Sequence, residues 1–311
     1  MAAPKVIAIF GPTGIGKTEV AIALAEGMRE RGEHPVAVSA DALQVYAGLE
    51  TLTGAPTRAE QARLEHRLVS FLPLQERFSA GQYATRAHAE IDALLATGRR
   101  PIVVGGTGLY LRAALADLAL RPPPAAGARE RWQHELTARG APALHEELRR
   151  RASWAAESID PHDRQRIVRA LELADSGELR PRLGERSELW TQEMRHPTLL
   201  AGLVMRRDAL YARINTRVDA IVAAGAVAEV RRAHTAGASA TARKALGFDE
   251  LLAGDVEAMK RRTRQYARRQ LTWMRKLAGV QLIDVTGRTP REVGAELIER
   301  APPRPEADRG E

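Results

Sequence analysis

Between the apolar run Val6-Ile7-Ala8-Ile9-Phe10 and a helical pattern that begins near Lys17, the chain reads GPTGIGKT over residues 11–18. A G-x-x-x-x-G-K-[ST] segment set between a strand and a helix leaves few folds open. Its glycines let successive backbone N–H groups turn inward around phosphate oxygens, and the following helix points the positive end of its dipole at the same anion. Gly11, Pro12, Thr13, Gly14, Ile15, Gly16, Lys17 and Thr18 are therefore expected to cradle a phosphorylated ligand. Lys17 would add a mobile positive charge and Thr18 a hydroxyl for Mg²⁺. ATP, GTP and other phosphorylated ligands all fit such a loop.

Four more short apolar runs follow, at Val36 to Ser39, Pro101 to Val104, Leu199 to Val204 and Val280 to Val285, with helical patterns between them. The alternation predicts an α/β fold with a mostly parallel sheet covered by helices. From about Arg121 to Ser187 the rhythm breaks: Pro122-Pro123-Pro124 opens a stretch with no strand-like run and with helical patterns across Arg129 to Arg150 and Asp163 to Ser176. The expected organisation is a P-loop core over 1–120 and 188–300, an inserted all-helical domain over 121–187, and a polar, Pro-rich, disordered tail over 301–311. No run approaches the roughly 18 apolar residues of a membrane span. The first strand begins too early to leave room for a secretory signal, which points to the cytoplasm. The absence of cysteine excludes disulfides, thiolate metal sites and a Cys nucleophile.

Strands of a parallel sheet deliver their C-terminal ends to one crevice, so the residues that end them are the candidates for chemistry. Asp41 closes the second run (Val38-Ser39-Ala40-Asp41) and is a candidate base or metal ligand, with a turn cap as the bland alternative. The Pro101 run ends in Gly105-Gly106-Thr107-Gly108 rather than in the acid expected of an ATP hydrolase, which argues against a motor and places the Thr107 hydroxyl in the crevice. The formal charge is +8, and its placement is informative: Lys260 to Lys276 holds eight basic residues and no acid, with Tyr266, Gln270 and Trp273 interleaved at helical spacing. Such a helix suits a polyanion; it equally suits a solvated face whose Leu271, Trp273 and Met274 dock on the core.

Taken together, GPTGIGKT (11–18), SADALQVYAGLE (39–50), VVGGTGLYLRA (103–113), DPHDRQRIVRALEL (160–173), RINTRV (213–218), TARKALGFDEL (241–251) and RQYARRQLTWMRK (264–276) resemble the tRNA dimethylallyltransferases, also called tRNA isopentenyltransferases, from end to end and in family order. The resemblance implies that the loop holds the diphosphate of dimethylallyl diphosphate, with Mg²⁺ on Thr18, and that the prenyl group passes to N6 of adenosine 37 beside the tRNA anticodon. It implies that Asp41 is the general base for the exocyclic amine, that Lys17 and Arg217 neutralise the leaving pyrophosphate, and that Thr13 and Thr107 line the channel where donor and adenine meet. It further implies that Asp41, Ala42, Leu43 and Gln44 read the flipped nucleotide. Arg129, Gln165, Arg166, Ile167, Val168 and Arg169 would contact the anticodon stem-loop, and Arg268 and Arg269 would belong to a basic region near the channel. A monomer is expected, the RNA supplying the second half of the chamber.

The chain departs from the family's usual wording at Ala42, Ala47, Ala55 and Ser70, where Ser, Arg, Lys and an acid are common. Three other readings share parts of the pattern: a small-molecule kinase using ATP in the loop, an adenylate isopentenyltransferase acting on free AMP, and a nonenzymatic RNA-binding protein with a relict loop.

Overall fold

The computed structural model describes residues 4–121, 123–181 and 188–302; Pro122 and all of the expected tail beyond residue 302 lie outside them. The elements run β1 (Val6–Phe10), α1 (Lys17–Arg29), β2 (Pro35–Ser39), α2 (Glu50–Thr53), α3 (Arg58–Arg63), β3 (His66–Arg67), α4 (Ala80–Ala96), β4 (Arg100–Gly105) and α5 (Gly108–Leu115). Then come α6 (Ala128–Arg151), α7 (Ser153–Glu157), α8 (Arg164–Asp175), β5 (Thr198–Val204), α9 (Arg207–Ala223), α10 (Ala226–Thr235), α11 (Phe248–Leu252), α12 (Val256–Met274), β6 (Gln281–Asp284) and α13 (Pro290–Arg300). They gather into two compact units, one of residues 1–118 and 188–311, the other of residues 119–187.

In the first unit a six-stranded, all-parallel sheet is ordered β3-β2-β4-β1-β5-β6. β1, β2 and β4 are almost wholly buried, so they read as unbroken Val/Ile/Ala runs rather than alternating ones. β1 lies at the centre, and its last residue, Phe10, pairs in register with Gly105 of β4 and Gly202 of β5. The segments that leave β1 and β4 therefore emerge side by side, at the edge where a parallel sheet binds its ligands. On one face the core is built from Ile7, Ile9, Val20, Leu24, Leu203 and Ile214 with α13 residues Val293 and Leu297. The fully buried Arg100 ties β4 to both ends of the unit. It pairs with Glu33 at 2.7 Å and donates to the Pro4 and Pro302 carbonyls at 2.6 and 3.3 Å. The two-residue edge strand β3 has no apolar alternation to announce it; it is set by pairing of Ala37 with His66 and Val38 with Arg67.

The second unit holds α6, α7 and α8 around Trp132, Leu136, Leu144, Leu148, Ile167 and Leu171. The long helical pattern expected from Arg129 onward is broken: Gly140 has φ 78° and ψ 165°, and Pro142 follows, which has no N–H for a helical bond. His145 Nε2 lies 2.9 Å from both the Ala156 and Ile159 carbonyls, so its N–H secures the turn of α7 against α6. Glu172 of α8 carries a wholly buried carboxylate paired with Arg129 and Arg169.

Candidate active site

Gly16 adopts φ 96° and caps α1 without help from its side chain, a left-handed conformation that costs glycine nothing. The first turn of α1 leaves its N–H groups without helical acceptors, and the amides of Gly14, Gly16, Lys17 and Thr18 take none elsewhere among the described residues. They form the donor set. The remaining loop residues do other work than the sequence suggested. Gly11, Pro12 and Ile15 are buried in the wall, Pro12 has no N–H, and its carbonyl accepts from Lys17 Nζ at 3.1 Å. The Thr13 amide is already given to Gln270 Oε1 at 2.9 Å.

Two cations face this loop. Burial, and next Arg217, push the Lys17 ammonium down to about 8 against an opposing pull from Asp41. Arg217, whose helix α9 is held to α12 by Arg264 donating to Asn215 Oδ1 at 2.6 Å, is depressed by burial and supported by Asp41 and Glu60. Lys17, Arg217 and Asp41 thus lie within one another's fields. Arg213, one turn earlier on α9, went unassigned in the sequence; its guanidinium reaches to 3.0 Å from where a Cβ on Gly16 would stand. It is exposed and makes no ion pair among the described residues.

Asp41 turns the chain after β2. Its Oδ1 accepts from the Leu43 and Gln44 amides at 2.9 and 3.4 Å, so the capping alternative is realised, yet Oδ2 takes no partner among the described residues. Thr107, just past β4, meets the same turn: its Oγ1 accepts from the Ala42 amide at 3.4 Å and lies 3.5 Å from the Tyr266 hydroxyl. The Tyr266 phenol is pushed up to about 12 by burial and by Asp41, so it stays protonated. Behind it, Tyr83 donates to the Ser39 carbonyl at 2.9 Å and stacks on Tyr110 at 4.4 Å. Of the residues expected to read a nucleotide, Gln44 has its amide engaged: Oε1 accepts from Ser39 Oγ at 3.1 Å, and Nε2 donates to the Gly54 carbonyl at 3.0 Å.

The expected RNA-facing residues divide sharply. On α12, Arg268 and Arg269 are exposed, Arg269 lying 5.5 Å over the Tyr266 ring, while Met274 docks inward and Trp273 stacks on Trp190 at 4.5 Å. The docking of Met274 expected of the helix is seen on one face, and the opposite face leaves Arg268 and Arg269 exposed. In the second unit Gln165 and Arg166 are exposed, but Ile167 and Val168 are buried in that unit's core. Their side chains cannot touch RNA, because a helical period turns them inward. Arg129 and Arg169 are engaged by Glu172 at 2.7 and 3.1 Å. Gln270 is a second residue, after Arg213, whose role the sequence did not assign. Its signal was a polar side chain in the inward series Met259, Thr263, Ala267, Gln270, Met274 of an otherwise basic helix.

No group of three His, Cys, Asp or Glu among the described residues could hold a metal ion. The Thr18 hydroxyl beside the loop amides suits an ion that arrives on a diphosphate, since Mg²⁺ commonly keeps waters and phosphate oxygens around few protein ligands. No helix among the described residues is long and apolar enough to cross a membrane.

The chain is similar to known proteins. The IPP transferase family matches residues 44–277, a stretch that begins just after the loop and Asp41. A tRNA dimethylallyltransferase of Nitratidesulfovibrio vulgaris is 40% identical over 287 residues, covering 88% of this chain and 89% of its own. One from Kineococcus radiotolerans is 37% identical over 309 residues, covering 95% and 96%. The crystal structure of the full-length tRNA isopentenylpyrophosphate transferase from Bacillus halodurans superposes with a TM-score of 0.67 at 29% identity, over 96% of this chain and 97% of that one.

Proposed function

The chain belongs to the IPP transferase family, and on that premise we propose that it transfers the dimethylallyl group of dimethylallyl diphosphate to N6 of adenosine 37 in tRNA, releasing pyrophosphate. The family sets aside the kinase alternative. The observation that carries the reading is the pairing, in one crevice, of a cationic phosphate cradle with a carboxylate that keeps one oxygen unengaged.

The N6–C1 bond forms as the allylic C1–O bond breaks. Negative charge grows on the departing pyrophosphate, where Lys17, Arg217 and the amides of Gly14, Gly16, Lys17 and Thr18 meet it; such donors act most strongly in a site that excludes water. Mg²⁺ carried on the diphosphate and touching the Thr18 hydroxyl would offset part of that charge. The adenine amine is a poor nucleophile because its lone pair is delocalised into the ring, and Asp41 Oδ2 takes its proton as attack proceeds. Thr107 and Tyr266, both neutral hydroxyls beside Asp41, line the space where a base would lie.

The adenosine must leave its stack to reach this crevice, and the loop around it must be gripped. Arg268 and Arg269 on α12 present exposed polar surface for that grip, as do Gln165 and Arg166, the latter beside Asp163 at 3.5 Å, on the helical unit. The protein would act in the cytoplasm as a single chain, the RNA closing the chamber. Incubation with labelled dimethylallyl diphosphate and unmodified tRNA, AMP or ATP tests the proposal. Label in tRNA alone is expected; label in AMP would make it an adenylate isopentenyltransferase, and label in none would refute prenyl transfer.

A further inference from the structure

Gln270 is a neutral side chain on a basic helix, and it is 4% exposed. Its two amide functions are both used, in opposite senses, on two loops distant in sequence. Oε1 accepts the Thr13 N–H at 2.9 Å, and Nε2 donates to the Gly106 carbonyl at 2.7 Å. Thr13 opens the phosphate loop after β1, and Gly106 opens the segment that carries Thr107 after β4. The contact requires glycine at 106: a Cβ there would collide with the Gln270 amide and stand 3.4 Å from Lys17 Nζ. Neighbouring turns of α12 grip the same segment, with Tyr266 beside the Thr107 hydroxyl and Trp273 against Gly108. A Thr13 amide spent in this way cannot serve a phosphate, so the bond shapes the cradle instead of joining it.

We propose that Gln270 is a positioning residue for the diphosphate site: it fastens the loop after β1 to the segment after β4, keeping the Gly14, Gly16, Lys17 and Thr18 amides converged and Thr107 facing Asp41. The proposal rests on the reading of that loop as the diphosphate site. Because the clamp comes from the inner face of the helix whose outer face carries Arg268 and Arg269, α12 joins the donor site to the basic surface through one amide.

The test uses the full-length protein with Gln270→Leu and Gln270→Glu. Leucine preserves volume but leaves a buried N–H and a buried carbonyl unpaired, so the KM for dimethylallyl diphosphate should rise about 10-fold to 100-fold, with tRNA Kd within about twofold of wild type. In Gln270→Glu the carboxylate still accepts the Thr13 N–H but repels the Gly106 carbonyl; the protonated acid restores both bonds, its O–H donating to Gly106. Its donor KM, divided by that of wild type at the same pH, should therefore fall toward one as the pH is lowered from 7 to 5.5. Lys17 of α1 and Tyr266 of α12 face the same place, and Arg217 and Asp41 act on Lys17; the new carboxylate favours the Lys17 ammonium, so the ratio is read below pH 7, where Lys17 is charged in both proteins. A purely structural role predicts lower melting temperatures with donor KM and tRNA Kd rising together and a ratio indifferent to pH. A wild-type donor KM in Gln270→Leu, or a flat ratio in Gln270→Glu, overturns the proposal alone. A wild-type protein that binds no dimethylallyl diphosphate overturns the site reading, and the proposal with it.

Discussion

Two carboxylates show how differently the two units use charge. Glu172 of the helical unit is wholly buried and engaged through both oxygens: Oε1 accepts from Arg129 Nε at 2.7 Å, and Oε2 from Arg129 Nη2 and Arg169 Nη1 at 3.0 and 3.1 Å. Asp41 of the core is half-buried, engages backbone amides through Oδ1 alone, and forms no ion pair among the described residues, although Lys17 and Arg217 feel its field. A carboxylate with both oxygens held by guanidinium groups is a strut. One with a whole oxygen left over, in a crevice beside the phosphate loop, is positioned to take a proton. Local charge density would not separate the two; the engagement of the second oxygen does.

The strongest way to break that contrast is to remove each carboxylate in turn. Asp41→Ala should slow single-turnover transfer about 10²-fold to 10⁴-fold, the usual size of a general-base contribution, with tRNA Kd within a few-fold and the melting temperature nearly unchanged. Glu172→Gln should do the reverse. Two guanidinium groups lose their counter-charge, at a cost toward the lower end of about 3–5 kcal/mol because Arg129 and Arg169 keep some contact with water. Hydrogen exchange should locate that loss in α6 and α8, with dimethylallyl diphosphate affinity preserved. If Asp41→Ala turns over normally at saturating substrates, or Glu172→Gln leaves exchange in α6 and α8 as in wild type, the distinction between strut and base fails.

The same contrast explains how much could be read from the sequence. The P-loop and five of the six strands were legible because each is local: a motif in context, or a short apolar run, which in β1, β2 and β4 is buried on both faces and shows no alternation. The place of Asp41 beside the loop was legible because it closely follows a strand. Partners chosen across long sequence distances were not. Arg129 was expected to contact RNA, and its guanidinium is engaged by Glu172, 43 residues on, which also pairs with the nearby Arg169. Ile167 and Val168 belonged to a contiguous family range, yet with Leu171 one turn on they mark the inward face, which helical periodicity alone should have separated from Gln165 and Arg166. The Gln270 clamp joins positions 257 residues apart. Nothing local announces it except a polar side chain on an inward turn.

A smaller effect sharpens the comparison from the cationic side. Lys17 sits at about 8 against an ordinary 10.5 because burial and Arg217 disfavour its charge. A bound diphosphate favours the ammonium, so binding takes up a proton once the free loop has lost it. The Kd for dimethylallyl diphosphate should be level below pH 8 and weaken by up to about tenfold per unit above it. The stability of the free protein has the opposite sign. Between pH 8 and 10.5 the unfolded chain holds this proton and the folded one does not, so Lys17 contributes a gain in stability as the pH rises through that window. Lys17→Arg, which keeps its charge, should flatten both dependences. A Kd for the wild type that stays level to pH 9.5 would remove Lys17 from the diphosphate site.

The smallest expected effect separates the exposed arginines from the engaged ones. Arg268 and Arg269 present their guanidinium groups to solvent and Arg166 does so beside Asp163 at 3.5 Å, whereas Arg169 is committed to the buried carboxylate of Glu172. If the exposed three meet tRNA phosphates, each substitution by Gln should raise the tRNA Kd modestly and lower the slope of log Kd against log salt by about 0.7 to 0.9, the counterions released per contact. Single-turnover transfer at saturating tRNA should survive, because Asp41 and the loop are untouched. Arg169→Gln should instead lower the melting temperature with little change in slope, since its charge already has a buried partner. Salt titrations of tRNA binding beside thermal melts for the four variants make the comparison. A slope unchanged in Arg166→Gln, Arg268→Gln and Arg269→Gln would turn the exposed arginines into plain solvated surface, and a slope that falls most in Arg169→Gln would mean that RNA draws this arginine away from Glu172 on binding.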